Sequence, residues 1–422
     1  MVAGSMREVT RGRHTRRRSS APSHRLRRVD AHPLDTSIVD LPTLRAERLA
    51  RLQASMRDAH ADAALLFMPG NIRYATGTAI MTVYSMTASV RCALVPAEGT
   101  PIVFEHAESA HVSARIAPDV RPFLPWEYFD DVAARAGLWA DEIVGAMGEL
   151  GVDGSVLFVD KLATPALLAL HGRGISIADA GPLSMDAREV KTPQELKVFQ
   201  VNAELGMRMM GAVEAAVRPG VREVDILAEM TDVLLRNGGE YLITRAVVSG
   251  PHTNPWNLEA TDRPVEAGDL AFVDTDAYGI EGYLIDVSRT FICGEGRGND
   301  RQRDAYRAAH AWLMGARELV GPGITTQEFA RRAPRLPERY LAQRYEVMVH
   351  SAGLEDEGPS VAYPEDPQPN PNRVLREGMV LCLEVYAGEV GGRDGVKLED
   401  QVVVTGQGSR TLVPYPYCDT LL

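Results

Sequence analysis

The sequence predicts two domains, an α/β domain in the N-terminal half and a C-terminal domain of paired helices and acid-bearing strands. Three observations support this. The 422 residues suit two domains of roughly 150–250 residues each. Strand-like and helix-like segments alternate up to about residue 160, the pattern of an α/β unit. A strong helix-start signal, Thr192-Pro193-Gln194-Glu195, follows a break at residues 185–195. Apolar content is 45%, enough for each half to bury a core.

Residues 42–57 read as an amphipathic helix, with Leu41, Leu44, Leu49 and Leu52 among Arg and Glu. A short strand ends at Phe67, and Pro69-Gly70-Asn71 reads as a turn. Strands are expected at Arg91–Val95, Pro101–Phe104 and Ser155–Val159, with a helix near Asp131–Leu150. Thr192 is an N-cap, Pro193 sits at the first helical position, and Glu195 completes a capping box. That helix should end near Val217, before Arg218-Pro219-Gly220-Val221, and a second should begin near Glu223. The pattern recurs: a helix over Asp304–Val320, then Gly321-Pro322-Gly323-Ile324, then a helix from about Thr326. Recurrence about 100 residues apart suggests an internal duplication, although Pro-Gly commonly ends helices without one.

The net charge of −12 is unevenly placed. Residues 1–30 carry nine Arg against Glu8 and Asp30, leaving 36 basic and 55 acidic residues, a net −19, in the rest. An acidic body argues against nucleic-acid binding. Residues 1–40 are expected to form a solvated, disordered Arg-rich tail, and without an apolar segment they are no secretory signal. No run of 18 apolar residues appears, so no membrane span is expected. Cys92, Cys293, Cys382 and Cys418 form no CxxC and sit among apolar residues, as buried free thiols of a cytoplasmic protein would.

The chemistry-bearing residues are acids at the ends or middles of apolar strands. Leu270-Ala-Phe-Val-Asp274-Thr-Asp276 places two carboxylates at strand spacing i and i+2, hence on one face. After Gly279 and Gly282, Tyr283-Leu-Ile-Asp286-Val-Ser reads as the partner strand of a hairpin, bringing Asp286 opposite the first pair. Glu384 and Glu399 lie in two further apolar strands, and His350 closes Val347-Met-Val. Buried unpaired acids cost several kcal/mol each, a penalty that divalent cations would remove. Half-exposed strands carrying surface acids are the plainer alternative. Oxygen-rich ligands with one imidazole suit Mn, Fe, Co or Zn, and bridging carboxylates would hold two ions roughly 3.5 Å apart.

At these residues the sequence resembles the creatinase, aminopeptidase P and methionine aminopeptidase superfamily over roughly residues 45–422. The resemblance implies an α/β creatinase-like N-terminal domain (41–187) and an α+β pita-bread catalytic domain (188–422). It also implies a pseudo-twofold, a dinuclear metal site on Asp274, Asp276, Asp286, His350, Glu384 and Glu399, and a homodimer. Where the peptidases carry further histidines, this chain has Asn257, Glu346 four residues before His350, and Asp356-Glu357. Glu384 continues as Val385-Tyr386 rather than Pro-Gly.

The chain looks most like the dimethylsulfoniopropionate lyase branch. The matching stretches are Asn71–Thr76, Ser249–Trp256, Phe272–Asp276, Tyr363-Pro364, Gly391-Gly392 and Lys397–Gln401. That likeness implies β-elimination from a small zwitterionic substrate, with Asp356, six residues after the metal histidine, as general base. A carboxylate open to water is a weak base toward a carbon acid, so the role asks for partial desolvation. Tyr345 and, more weakly, Trp256 would bind the sulfonium through their ring faces; Tyr84 and Trp126 read as core. The segment Met81–Val90 lacks a tryptophan and a histidine of that branch, and Gly358 stands where a tryptophan is expected. Three rival readings use the same fold: a hydrolase of a small amide or amidine, an Xaa-Pro aminopeptidase, and a binding module without activity.

Overall fold

The computed structural model describes residues 33–79, 90–127, 129–257, 259–367 and 371–422. The expected disordered tail falls almost wholly outside them, as does Tyr84. The N-terminal half runs α1 (Leu41–Asp58), β1 (Ala63–Leu66), α2 (Pro69–Thr76), β2 (Cys92–Pro96), β3 (Ile102–Glu105), α3 (Ala110–Ser113), β4 (Val120–Pro122), α4 (Val132–Glu149), β5 (Val156–Val159), α5 (Thr164–His171), β6 (Ser176–Asp179) and α6 (Gly181–Glu189). Its strands form one mixed sheet, β4-β3-β2-β1-β5-β6, parallel at β3–β4, β1–β5 and β5–β6. Trp126 and Trp139 meet at 4.7 Å in the core under this sheet, so Trp126 is a packing residue.

The expected turn at Pro69-Gly70-Asn71 is instead the first turn of α2. Pro69 occupies a first-turn position, where its missing N–H costs nothing. The carboxylate of Asp160 accepts from the backbone N–H groups of Phe67 (2.7 Å) and Met68 (3.0 Å), anchoring the helix entry from a distant strand end. Helix α6 runs across the expected boundary at 187/188 to Glu189, and the next helix starts at Pro193.

The second half begins with α7 (Pro193–Ala216), where Thr192 and Glu195 form the expected capping box. Thr192→Ala is expected to cost about 1 kcal/mol, read as a lower denaturation midpoint; an unchanged midpoint would mean that the cap does not stabilise the helix. Then follow α8 (Glu223–Arg236), β7 (Tyr241–Leu242), β8 (Val247–Ser249), β9 (Leu270–Asp274), β10 (Ala277–Tyr278), β11 (Leu284–Ile285), β12 (Ser288–Ile292), α9 (Asp300–Leu319), α10 (Thr326–Arg332), α11 (Glu338–Leu341), β13 (Val347–Ala352), β14 (Asp356–Ala362), β15 (Val380–Gly388), β16 (Gly395–Thr405) and β17 (Gly408–Thr411). Two small sheets, β12-β9-β8 and β11-β10-β7, accompany a larger one, β14-β13-β15-β16-β17.

The duplication has a hydrogen-bond signature. Gly220 and Gly323 both take left-handed φ, 86° and 93°. Gly220 N donates to Val265 O and Gly323 N to Leu375 O. Glu223 N donates to Arg263 O and Thr326 N to Arg373 O. Val265 N donates to Val221 O and Leu375 N to Ile324 O. The same three bonds thus recur, the residues at the Pro-Gly turn shifted by 103 positions and their partners by 110, which generic Pro-Gly helix ends do not require. No helix among the described residues is long and apolar enough to cross a membrane. Cys92, Cys293 and Cys382 are buried, Cys418 is partly exposed, and all four are free.

Candidate metal centre

Strand register builds the centre. Glu384 on β15 pairs with Glu399 on β16, and Tyr386 pairs with Lys397 in the next same-face row. His350 on β13 pairs with Cys382. Alternation then puts His350, Cys382, Glu384, Tyr386, Lys397, Glu399 and Gln401 on one face of the sheet. Facing them is the β9–β12 pair, in which Asp274 lies opposite Ser288.

The expected simple hairpin between Asp274 and Asp286 is interrupted. Strands β10 and β11 leave it to pair with each other, β10 also pairing with β7, and Asp286 sits just before β12. Asp276 lies beyond the end of β9 with φ at +32°. It meets Asp274 through this bend rather than by strand alternation, and Thr244 Oγ1 donates to it at 2.7 Å. The convergence itself holds. Ligand atoms of Asp274, Asp276 and Asp286 lie within 4.8 Å of one another, as do those of Asp286, His350, Cys382 and Glu399.

His350 Nε2 lies 3.4 Å from Asp286 Oδ2, 3.5 Å from Glu384 Oε1 and 3.7 Å from Glu399 Oε1. These are close to the edge, roughly 3.4 Å, of a tetrahedron of ligands set about 2.1 Å from its centre. Glu384 Oε1 and Glu399 Oε1 are buried and have no hydrogen-bond partner among the described residues. Such orphaned oxygens are rare and costly; a cation between them and the imidazole accounts for both. The donor set therefore fits a divalent metal. Asp274, Asp286, Glu384 and Glu399 are all at most 4% exposed, so the alternative of half-exposed surface acids falls.

Lys397 holds the other side of the cage. Its fully buried ammonium contacts Asp274 Oδ2, Glu384 Oε2 (3.1 Å) and Glu399 Oε2 (3.5 Å). Each glutamate thus turns one oxygen to His350 and one to Lys397. Ser288 Oγ bridges Asp274 Oδ1 (2.6 Å) and Glu399 Oε2 (3.0 Å). Sequence reasoning missed Lys397, Ser288 and Thr244 as site residues. Lys397 was findable, since it lies two residues from Glu399 in the same apolar strand.

Protonation follows this layout. Burial pushes Asp274 up to about 7, against the pull of Lys397 and with the repulsion of Asp276 and Glu399. Burial raises Glu384 to about 8, Lys397 pulling it down and Glu399 pushing it up. Burial and the charges of Glu399, Asp276 and Asp274 raise Asp286 well above the carboxylate range. Burial also works against charged Glu399, but Lys397 and His350 overcome it and hold Glu399 at about 2. His350 is raised to about 10 despite burial, by Glu399, Glu384 and Asp356.

Asp356 lies outside the cage. Its Oδ1 is 3.5 Å from His350 Nδ1, and its side chain is 67% exposed. The described residues therefore do not supply the expected desolvation. Among the residues standing where peptidases carry histidines, Asn257 and Glu346 are exposed and Glu357 is buried in ion pairs.

Trp256 and Tyr345 stack at 5.4 Å, and the Lys397 ammonium lies 4.9 Å from both rings. A second cation between those rings would meet Lys397. Tyr345 also lines a cavity of about 280 Å³ with Arg344, Glu346 and Asp366; Arg344 holds Asp366 there, so the cavity offers a cation the ring and the Glu346 carboxylate.

Residues 198–406 match the family model for metallopeptidase family M24, and residues 48–190 match the creatinase/prolidase N-terminal domain. A dimethylsulfoniopropionate lyase DddP of Roseovarius nubinhibens is 33% identical over 399 residues, 92% of this chain and 89% of that one. The chain belongs to metallopeptidase family M24. A second dimethylsulfoniopropionate lyase DddP, from Roseobacter denitrificans, is 30% identical over 93% of this chain and 90% of its own. The solved Xaa-Pro dipeptidase of Bacillus anthracis superposes with a TM-score of 0.70 at 21% identity, covering 88% of this chain and 98% of that one. That likeness is one of fold, the pita-bread fold of the prolidases. M24 enzymes use divalent metals, and the cage supplies this M24 chain with a matching ligand set.

Proposed function

We propose that the protein is a metal-dependent carbon–sulfur lyase that cleaves dimethylsulfoniopropionate to dimethyl sulfide and acrylate. The observation that carries this reading is Asp356: a solvent-facing carboxylate beside His350, at the open edge of the cage, in a chain 33% identical to a dimethylsulfoniopropionate lyase.

Asp274, Asp276, Asp286, His350, Glu384 and Glu399 would hold two divalent ions, of Fe, Mn, Co or Zn. Five cage carboxylates against the Lys397 ammonium leave a deficit of four positive charges with His350 neutral, which supports the number two. The bound ions would supply positive charge for the substrate carboxylate and for charge developing on it. Asp356 takes the proton from the carbon next to that carboxylate. The C–H electron pair forms the new double bond, and the carbon–sulfur bond breaks with its electrons on sulfur. Dimethyl sulfide and acrylate leave, and Asp356 returns its proton to water. Tyr345 presents a ring to the sulfonium from the cavity side, and substrate covering Asp356 supplies the desolvation its surroundings lack. Trp256 backs Tyr345.

A homodimer in the cytoplasm is part of the proposal, and size-exclusion with light scattering tests the dimer. For the reaction, the metal-loaded protein is incubated with dimethylsulfoniopropionate and the headspace assayed for sulfide. Release in step with acrylate is expected. Hydrolysis of a small amide, an amidine or an Xaa-Pro peptide with no sulfide released would overturn the lyase reading.

A further inference from the structure

We infer that Arg188 and Lys191 are positioning residues for Asp356, clamping the β13–β14 hairpin so that its carboxylate faces His350. The inference rests on the reading of Asp356 as the base. Of three consecutive acids, Glu355 lies in the bend at the hairpin tip, and Asp356 and Glu357 begin β14. Alternation along β14 sends Asp356 and Glu357 to opposite faces. Both flanking acids bind one guanidinium: Arg188 Nε donates to Glu357 Oε1 (2.8 Å) and Nη2 to Glu355 Oε2 (3.2 Å). Lys191 Nζ donates to Glu357 Oε2 (2.5 Å) and to Arg188 O (2.7 Å). With its neighbours drawn to one side, Asp356 is left on the other, 3.5 Å from His350.

The clamp is rigid for physical reasons. Arg188, Lys191 and Glu357 are at most 5% exposed, so their pairs are little screened and costly to break. Burial opposes the charge on Glu357, yet Arg188 and Lys191 hold its carboxyl below the usual range. Glu357 Oε1 also accepts from Leu354 N across the hairpin tip (3.0 Å), and Leu284 N pins Gly353 O (2.8 Å). Behind the clamp, Arg188 Nη1 donates to Asn71 Oδ1 (2.6 Å), and Asn71 Nδ2 donates to Asp160 (2.9 Å). The base is thereby tied to α2 and to the end of β5, so the creatinase-like half helps to place it.

The test uses the full-length, metal-loaded protein. Arg188→Met is expected to keep its metal, hold KM within about threefold, and lose roughly 100-fold in kcat for dimethyl sulfide release. Glu357→Gln keeps the side chain's shape but sets a donor against Lys191; it reads the same clamp should Arg188→Met not fold. Arg188→Lys, which keeps the charge, should recover part of the loss. In an Asp356→Asn background either substitution should add nothing, since no base remains to misplace. A loss that multiplies with that of Asp356→Asn overturns the inference, as does a crystal structure of Arg188→Met with Asp356 unmoved from His350. Should the unaltered protein release no dimethyl sulfide, the lyase reading fails, and that crystal structure alone decides the clamp: a displaced carboxylate supports it, an unmoved one refutes it.

Discussion

Asp356→Asn is expected to lower kcat for dimethyl sulfide release by roughly two to four orders of magnitude while metal content and thermal midpoint stay as they were. The separation follows from where the residue sits. Its side chain is 67% exposed and packs into no core, so its loss should change stability by no more than about 0.5 kcal/mol. It faces His350 Nδ1, whereas the cage carboxylates face Nε2, so the ions should stay. Asparagine keeps the shape and removes the basic oxygen, which isolates proton abstraction from substrate fit. Kinetics with metal quantification on the same preparation check it. An Asp356→Asn enzyme with kcat near that of the unaltered protein would move the base elsewhere, and Glu357 could not take its place because Arg188 and Lys191 already hold both its oxygens.

Much of the cage was legible because each acid broke a local rule. Asp274, Glu384 and Glu399 sit in strands whose other residues demand burial, and a buried acid needs a partner. Register then did what local reading could not: Glu384 meets Glu399 only because β15 and β16 pair over nine positions. Lys397 carried the same signal as the glutamates but has the wrong sign for a ligand, and its place between Asp274 and Glu384 becomes visible only in three dimensions. The turn expected at Pro69 became helix because Asp160, about ninety residues on, anchors its first turn. The pairing of Arg188 with Glu357 escaped notice for the same reason: ion pairs 169 residues apart leave no local pattern. Asp356 was placed by likeness, and no local pattern foretold the exposure of its side chain.

Stripping the metal should make the protein's stability fall with rising pH, and reloading it should restore the most stability at high pH. Asp274 goes from an ordinary 3.8 to about 7, and Glu384 from 4.5 to about 8. Acids with raised values bind protons more tightly folded than unfolded. Their contribution is fully present below the unfolded value and is lost as pH rises through the folded one. His350, raised from 6.5 to about 10, acts in the same direction over a higher window. Glu399 acts oppositely, but its window, from 4.5 down to about 2, lies below the range in question. Between pH 5.5 and 8.5 the metal-free cage therefore accumulates unfavourable charge that bound cations would neutralise. Metal at about 100 times its dissociation constant adds roughly 2.7 kcal/mol, or about 3 °C in a chain of this size. Groups outside the cage titrate alike in both forms, so the gap between loaded and chelated melting points isolates the cage. That gap should widen from pH 5.5 to 8.5; a gap that is constant or narrows would mean that cations are not what these buried carboxylates await.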